Sequence, residues 1–255
     1  MLPDLPLSAW VCGIIGAIFV GLGKGGIPGM GNITVAMYAL VLPDPKLSVG
    51  VLLPILSAAD ITAVRIYKKH GDWKHLKRLL PWALIGLLIG YFSFQSLSSS
   101  QVRLLIGTIL LGFVGLHFGN LLWEKYRPQN QPGNTLAQMW FVAPFLGVMG
   151  GFATMIANAA GPIAGFYFLA MKLPKYAFIG TIAWFFLLIN FVKVPFMVDL
   201  GIINWRWLPF SILMMPFAIG ATMIAPKVVK HINQQWFERF VWFFIVLAGI
   251  KLLMP

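Results

Sequence analysis

Ten apolar stretches divide the chain, at roughly 5–22, 27–42, 46–68, 76–97, 101–123, 136–156, 160–171, 175–198, 206–226 and 236–254. Their apolar residues run on continuously rather than alternating, which predicts helices and argues against the strands of a membrane barrel. Most come close to the about 20 residues that a helix needs to cross a bilayer. The longest polar break, Trp123 to Thr135, holds Glu124, Lys125, Tyr126, Arg127, Pro128 and Pro132. It separates a first half (1–123) from a second (136–255), with a linker at 124–135, and leaves five segments in each.

The two halves are spelled alike. In the first, the glycine-rich run Gly21 to Gly31 precedes a short apolar piece, then Leu42-Pro43, a long segment and Gly71-Asp72-Trp73-Lys74. In the second, the break Thr154 to Gly161 precedes a short apolar piece, then Leu173-Pro174, a long segment and Ile203-Asn204-Trp205-Arg206. Pro43 and Trp73 are 30 residues apart, and Pro174 and Trp205 are 31 apart. We read this as an internal repeat. Segments two and seven carry only about ten apolar residues, a helical rise of roughly 15 Å, half of a bilayer core of about 30 Å. The expectation is a chain that enters the membrane, breaks near the midplane, and completes or reverses its path as a half-helix. Irregular backbone at that depth must be buried or line a cavity, and such paired breaks point to a substrate site.

Five segments per half is odd, so the halves should enter the membrane from opposite sides. Basic residues test this through the positive-inside rule. Lys68, Lys69, Lys74, Lys77 and Arg78 follow segment three, whereas its counterpart near Val198 to Arg206 has only Arg206 beside Asp199. With Lys125, Arg127, Lys172, Lys175, Lys227, Lys230 and Arg239, the expected cytoplasmic positions hold twelve of the 19 basic residues. Lys46, Arg103, Arg206 and Lys251 fall outside, and Lys24, Arg65 and Lys193 lie within segments or breaks. The fold class expected is an all-α polytopic membrane protein. It has two inverted-topology repeats of about five segments each, broken or half-helices at segments 1–2 and 6–7, and both termini outside.

Composition agrees and narrows the function. Of 255 residues, 59% are hydrophobic and 10% charged, and the mean hydropathy is +0.84. That is more apolar surface than one soluble core can hide. Ten Trp and 21 Phe suit interfacial belts and lipid-facing sides. The net charge of +12 records orientation, so no nucleic-acid partner is expected. Met1 to Ser8 holds Asp4 and no Lys or Arg, so no cleavable signal peptide is expected and the first segment is retained. Cys12 is single and has no ligand cluster beside it. No cofactor and no metal are expected, and with no nucleophile beside a base the chain does not read as an enzyme.

A few polar residues at membrane depth remain. Lys24 stands among glycines just before a half-helix. Its ammonium costs about 2.5–3.5 kcal/mol within hydrocarbon, so it either serves an anion, with backbone N–H groups of Gly25 and Gly26 and the helix N-terminus as donors, or snorkels to an interface. Asn190 and Lys193, three apart, share a face of segment eight, and Pro195 frees a carbonyl one turn back. Asp60, with Ser57 three residues before it, falls near their counterpart in the first half. It can neutralise Lys24 or Lys193, carry a coupling proton, or form a structural ion pair. Thr154, Asn158 and Gly161 make the second break and would supply neutral hydrogen bonds there, while Asn32 opens the first half-helix and can cap it. His117 reads as a packed histidine, and His70, His75 and His231 as loop residues of the basic side.

With these motifs the chain resembles the sulfite exporter TauE/SafE family, also known as the toluenesulfonate uptake permease family. The likeness rests on the first glycine-rich break and the triplets Gly71-Asp72-Trp73 and Ile203-Asn204-Trp205. It also rests on Thr154-Met155-Ile156-Ala157-Asn158-Ala159-Ala160-Gly161-Pro162 and Asn190-Phe191-Val192-Lys193-Val194-Pro195, in this order over nearly the whole chain. The resemblance implies a bacterial plasma-membrane carrier, often an exporter, for sulfite, organosulfonates or related small anions. The second break lacks the dense glycine run that many members carry, which makes the two half-sites unequal and gives substrate choice to Lys24 and the Asn190/Lys193 face. The expected partners are a small anionic substrate and the lipid bilayer; a homo-oligomer is left open. An anion channel or another small-anion permease is the alternative, distinguished by a continuous pore.

Overall fold

The computed structural model describes residues 5–27, 29–126, 141–171 and 173–228, with 243, 246–247 and 250–254 near the C-terminal end. Much of the expected linker, most of segment ten, Lys172, Lys230, His231, Arg239 and the side chain of His117 lie outside these residues. Among the described residues there are helices and no strand. In chain order they are α1 (Leu7–Lys24), α2 (Met30–Val41), α3 (Pro45–Tyr67), a 3-10 turn (Lys68–His70), α4 (Trp73–Ser96), α5 (Ser99–Tyr126), α6 (Val142–Ala157), α7 (Gly161–Ala170), α8 (Lys175–Asp199) and α9 (Leu208–Val228). Helices α1, α3, α4, α8 and α9 are each long and apolar enough to cross a membrane.

The repeated triplets turn out to be helix starts. Asp72 precedes α4 and its carboxylate accepts from the backbone N–H of Lys74 (3.0 Å) and His75 (3.2 Å). Asn204 shapes the turn that leads into α9, accepting from Trp207 N–H at 3.3 Å. Asp72 satisfies donors that a helix leaves unpaired at its N-terminus. His75 therefore lies in the first turn of α4 and not in a loop, because Asp72 starts the helix before it.

The short helices reverse the chain. Thr34 Oγ1 donates to the Gly16 carbonyl (3.0 Å) and Tyr38 Oη to that of Gly13 (2.9 Å). As position rises along α2 it falls along α1, so the two form an antiparallel hairpin. The first break is shorter than the glycines suggest. The expected break at Gly21 to Gly31 is helical up to Lys24, and among the described residues only Gly25, Gly26, Ile27 and Gly29 depart from it. The reason is packing. A Cβ on Gly21 would stand 2.2 Å from the Ala218 carbonyl oxygen, and one on Gly25 would stand 2.1 Å from Ala225 Cβ. These two glycines let α1 approach α9 closely, as small residues spaced by four do in membranes. The second break is likewise confined to Asn158–Ala160, with Thr154 still inside α6.

Contacts between the halves are reciprocal. Helix α1 packs on α9, and α6, its sequence counterpart, packs on α4. The second contact is glycine against backbone. A Cβ on Gly86 would stand 2.0 Å from the Val148 carbonyl oxygen, and one on Gly151 would stand 1.8 Å from that of Ala83. Gly50 of α3 fits against Ile202, in the turn before α9, and Gly180 of α8 fits against Tyr67, His70 and Gly71, before α4. Helices α3 and α8 pack on each other at the centre.

The ends of the bundle match the charge pattern. Lys46 Nζ donates to the Leu97 carbonyl (2.5 Å), and Arg103 Nη2 to those of Lys251 (3.1 Å) and Met254 (2.6 Å). Tyr91 Oη donates to Asp199. At the other end Asp72 N–H donates to Thr181 Oγ1 (2.8 Å), and His70 stacks on Tyr176. Loops of like expected side thus share an end.

Candidate functional site

Helix α3 serves as a ruler through the centre. The Val49 carbonyl, near its start, accepts from Asn158 Nδ2 at 2.9 Å. Asp60 follows eleven residues later, roughly 16 Å along the helix, and forms an ion pair with Lys24 (Nζ to Oδ1, 2.7 Å). The tip of the first hairpin therefore lies toward one end of α3 and the tip of the second toward the other.

Two separate polar networks result. In the first, Lys24 ends α1 and meets the buried Asp60, whose second oxygen accepts from Asn190 Nδ2 at 2.7 Å. The ammonium also stands 3.8 Å from the centre of the Phe186 ring, a favourable cation–π placement. Lys24 does not snorkel away. Tyr67 Oη donates to the Gly25 carbonyl at 3.1 Å and pins the tip. Asn190 Oδ1 is buried with no hydrogen-bond partner among the described residues.

In the second network, Lys193 is fully buried. Its ammonium donates to the Thr154 carbonyl and to Asn158 Oδ1 (2.7 Å). Asn158 has φ 53°, a left-handed conformation that asparagine tolerates better than most residues. Held there, its amide bridges Lys193 and the α3 backbone. The second break, expected to offer only neutral groups, thus receives a cation from α8.

Other expected site residues play different parts. The N–H groups of Gly25, Gly26 and Ile27 bond back to the carbonyls of Gly21 (2.9 Å), Gly23 (3.3 Å) and Leu22 (3.0 Å). They close the end of α1, so the Gly25 and Gly26 donors expected for an anion are committed to the helix cap. Ser57 Oγ donates to the Leu53 carbonyl of its own helix at 2.9 Å, outside the Asp60 network. Asn32 does not cap α2. The cap position is Gly29 (φ 84°), with no side-chain bond, and Asn32 lies in the first turn, buried.

Asn32 instead marks where the half-helices approach. Gly161 opens α7, and a Cβ on it would stand 3.9 Å from Asn32 Oδ1. No described atom lies within 4 Å of a Cβ on Gly31. The first N–H groups of a helix have no partner within it, so the starts of α2 and α7, each a positive dipole end, come close at Asn32 and Gly161. Phe186 and Tyr67 are the residues that sequence reasoning passed over. The signal for Phe186 was present, since 186, 190 and 193 fall on one face of α8 at helical spacing.

Short helices after paired breaks, with lysines drawn into the bundle, are features that transporters share. The family model for sulfite exporter TauE/SafE matches residues 13–252. The chain belongs to the sulfite exporter TauE/SafE family. It is a multi-pass membrane protein of a family of exporters or permeases for sulfite and related sulfur anions, a transporter family. Searches of curated proteins and of solved structures gave no match. The match takes in both hairpins and both lysine networks, so the TauE/SafE assignment covers the whole candidate site.

Proposed function

We propose that this TauE/SafE protein exports small sulfur oxyanions, sulfite or organosulfonates, across the plasma (inner) membrane of a bacterium by alternating access. The anion binds between the first turns of α2 and α7, beside Asn32 and Gly161. Lys193 provides the charge, held by Thr154 and Asn158, while Lys24 is kept in reserve by Asp60 and Asn190. Access switches when one half rocks against the other about α3 and α8. The halves are inverted repeats with both termini outside, a reading supported by the reciprocal packing and the distribution of basic residues.

The observation that carries this reading is the approach of two half-helix N-termini near Lys193, which is buried and meets no carboxylate among the described residues. Helix starts and cations both attract anions, and an ammonium at this depth needs a counter-charge. Binding and efflux of radiolabelled sulfite in proteoliposomes test it. Lys193→Ala is expected to lower affinity at least tenfold, and Lys24→Ala to lower transport. Unchanged affinity and flux in both variants would sink the anion site. Proton coupling through Asp60 is tested separately: flux should respond to an imposed pH gradient, and Asp60→Asn should remove that response.

A further inference from the structure

The charges inside the bundle can be counted. Lys24 is neutralised by Asp60 at 2.7 Å. Lys193, fully buried, has two neutral acceptors and no carboxylate among the described residues. The other carboxylates described sit at helix ends: Asp44 accepts from Lys46 N–H, Asp72 caps α4, and Asp199 accepts from Tyr91. Counted with Lys193 as its ammonium, the interior among the described residues therefore holds one positive charge in excess.

The geometry points to charge selection by this count: the resting site takes a singly charged anion, and a doubly charged anion is taken only together with one proton, which Asp60 binds. This rests on the proposed anion site. A monoanion balances Lys193 with no other change. A dianion leaves an excess negative charge in a low-dielectric interior, which is costly. Protonation of the Asp60 carboxylate removes its negative charge and leaves Lys24 positive, so two cations face two negative charges. The bond that changes is O–H at Asp60, and the proton comes from water on the side to which the site is open. Asn190 is suited to both forms. Its Nδ2 already donates to Asp60 Oδ2, and its unpartnered Oδ1 can accept from a protonated carboxyl after the amide turns over.

Titratable groups on the elements packed against α3 leave Asp60 as the group that responds. Lys24 of α1 is its ion-pair partner, and Lys193 of α8 is turned to the second break. Tyr38 of α2 donates to Gly13, and Arg103 of α5 holds the C-terminal carbonyls. Cys12 lies twelve residues before the Lys24 end of α1, and Lys227 and the Lys68–His70 turn lie at helix ends.

The test compares two sulfur anions of fixed charge, methanesulfonate (one) and thiosulfate (two), on the purified full-length protein. Calorimetry in buffers of different ionisation enthalpy counts protons taken up on binding. We expect none with methanesulfonate and about one with thiosulfate, whose affinity then falls about tenfold per pH unit while free Asp60 is ionised. In Asp60→Asn the two anions should bind with no proton uptake. The double variant Lys24→Met, Asp60→Asn, which removes the pair as a neutral unit, provides the same comparison should the single variant not fold. Equal proton uptake for the two anions in the wild type would overturn the charge count while leaving the anion site standing. Thiosulfate-linked uptake that persists in either variant would do the same. Failure of both anions to bind would overturn the site reading and this inference with it.

Discussion

Gly151→Ala adds one methyl where α6 meets α4. Its carbon would stand 1.8 Å from the Ala83 carbonyl oxygen and 2.7 Å from Leu87 N. Carbon and carbonyl oxygen ordinarily approach to about 3.3 Å, so the helices must part by roughly 1.5 Å or shift along each other. The obstructing atoms are backbone, which cannot swing aside as a side chain would. Parting also loosens Gly86 against Val148 and Gly147 against Trp82, which sit on the same seam. Overpacking in a fitted interior costs about 1–3 kcal/mol, and this site belongs at the upper end. Gly112→Ala on α5 is the control. No described atom lies within 4 Å of its added methyl, and Ala is favoured over Gly in a helix by about 0.5–1 kcal/mol. Thermal unfolding of the detergent-purified proteins, followed by size-exclusion chromatography after heating, reads both. A large fall in midpoint is expected for Gly151→Ala and none for Gly112→Ala. Equal midpoints for Gly151→Ala and the wild type would refute a backbone-to-backbone α4–α6 seam.

Three further outcomes follow from the interior and the caps. Lys24→Met and Asp60→Asn should each destabilise by about 3–5 kcal/mol because each strands a buried partner; the double variant should recover most of that, and additive losses in the thermal cycle would deny the pair. Lys193→Met should leave thermal stability unchanged or raised, since it removes an uncompensated buried charge, yet abolish sulfite binding; a strong loss of stability would mean that Lys193 is a structural strut. Asp72→Ala should cost about 1 kcal/mol by removing the cap of α4, with a smaller loss for Asp72→Asn, both read from the thermal midpoint.

The class and the succession of helices are legible from the chain alone. Continuous apolar runs in a chain this poor in charge leave lipid as the necessary solvent, and a helix satisfies its own backbone there. Those constraints act locally, so they can be read locally. The repeated Asp72-Trp73 and Asn204-Trp205 are legible as a repeat, and the fold adds that Asp72 caps α4. The glycines were only half legible. Gly21 and Gly25 look like breakers, but in the fold they are a contact surface for α9, and nothing in a single sequence says which helix will lie against a glycine.

Tertiary structure decided what the charges do. Lys24 could have faced an anion, a carboxylate or the interface, and it is the arrival of Asp60 and Phe186 from α3 and α8 that selects the ion pair. The second break has no cation of its own in sequence, and Lys193, 35 residues after Asn158, brings one to it. These pairings join positions far apart in the chain. They are fixed by how α3 and α8 pack against two opposed hairpins, because the energy of a buried charge depends on which groups surround it.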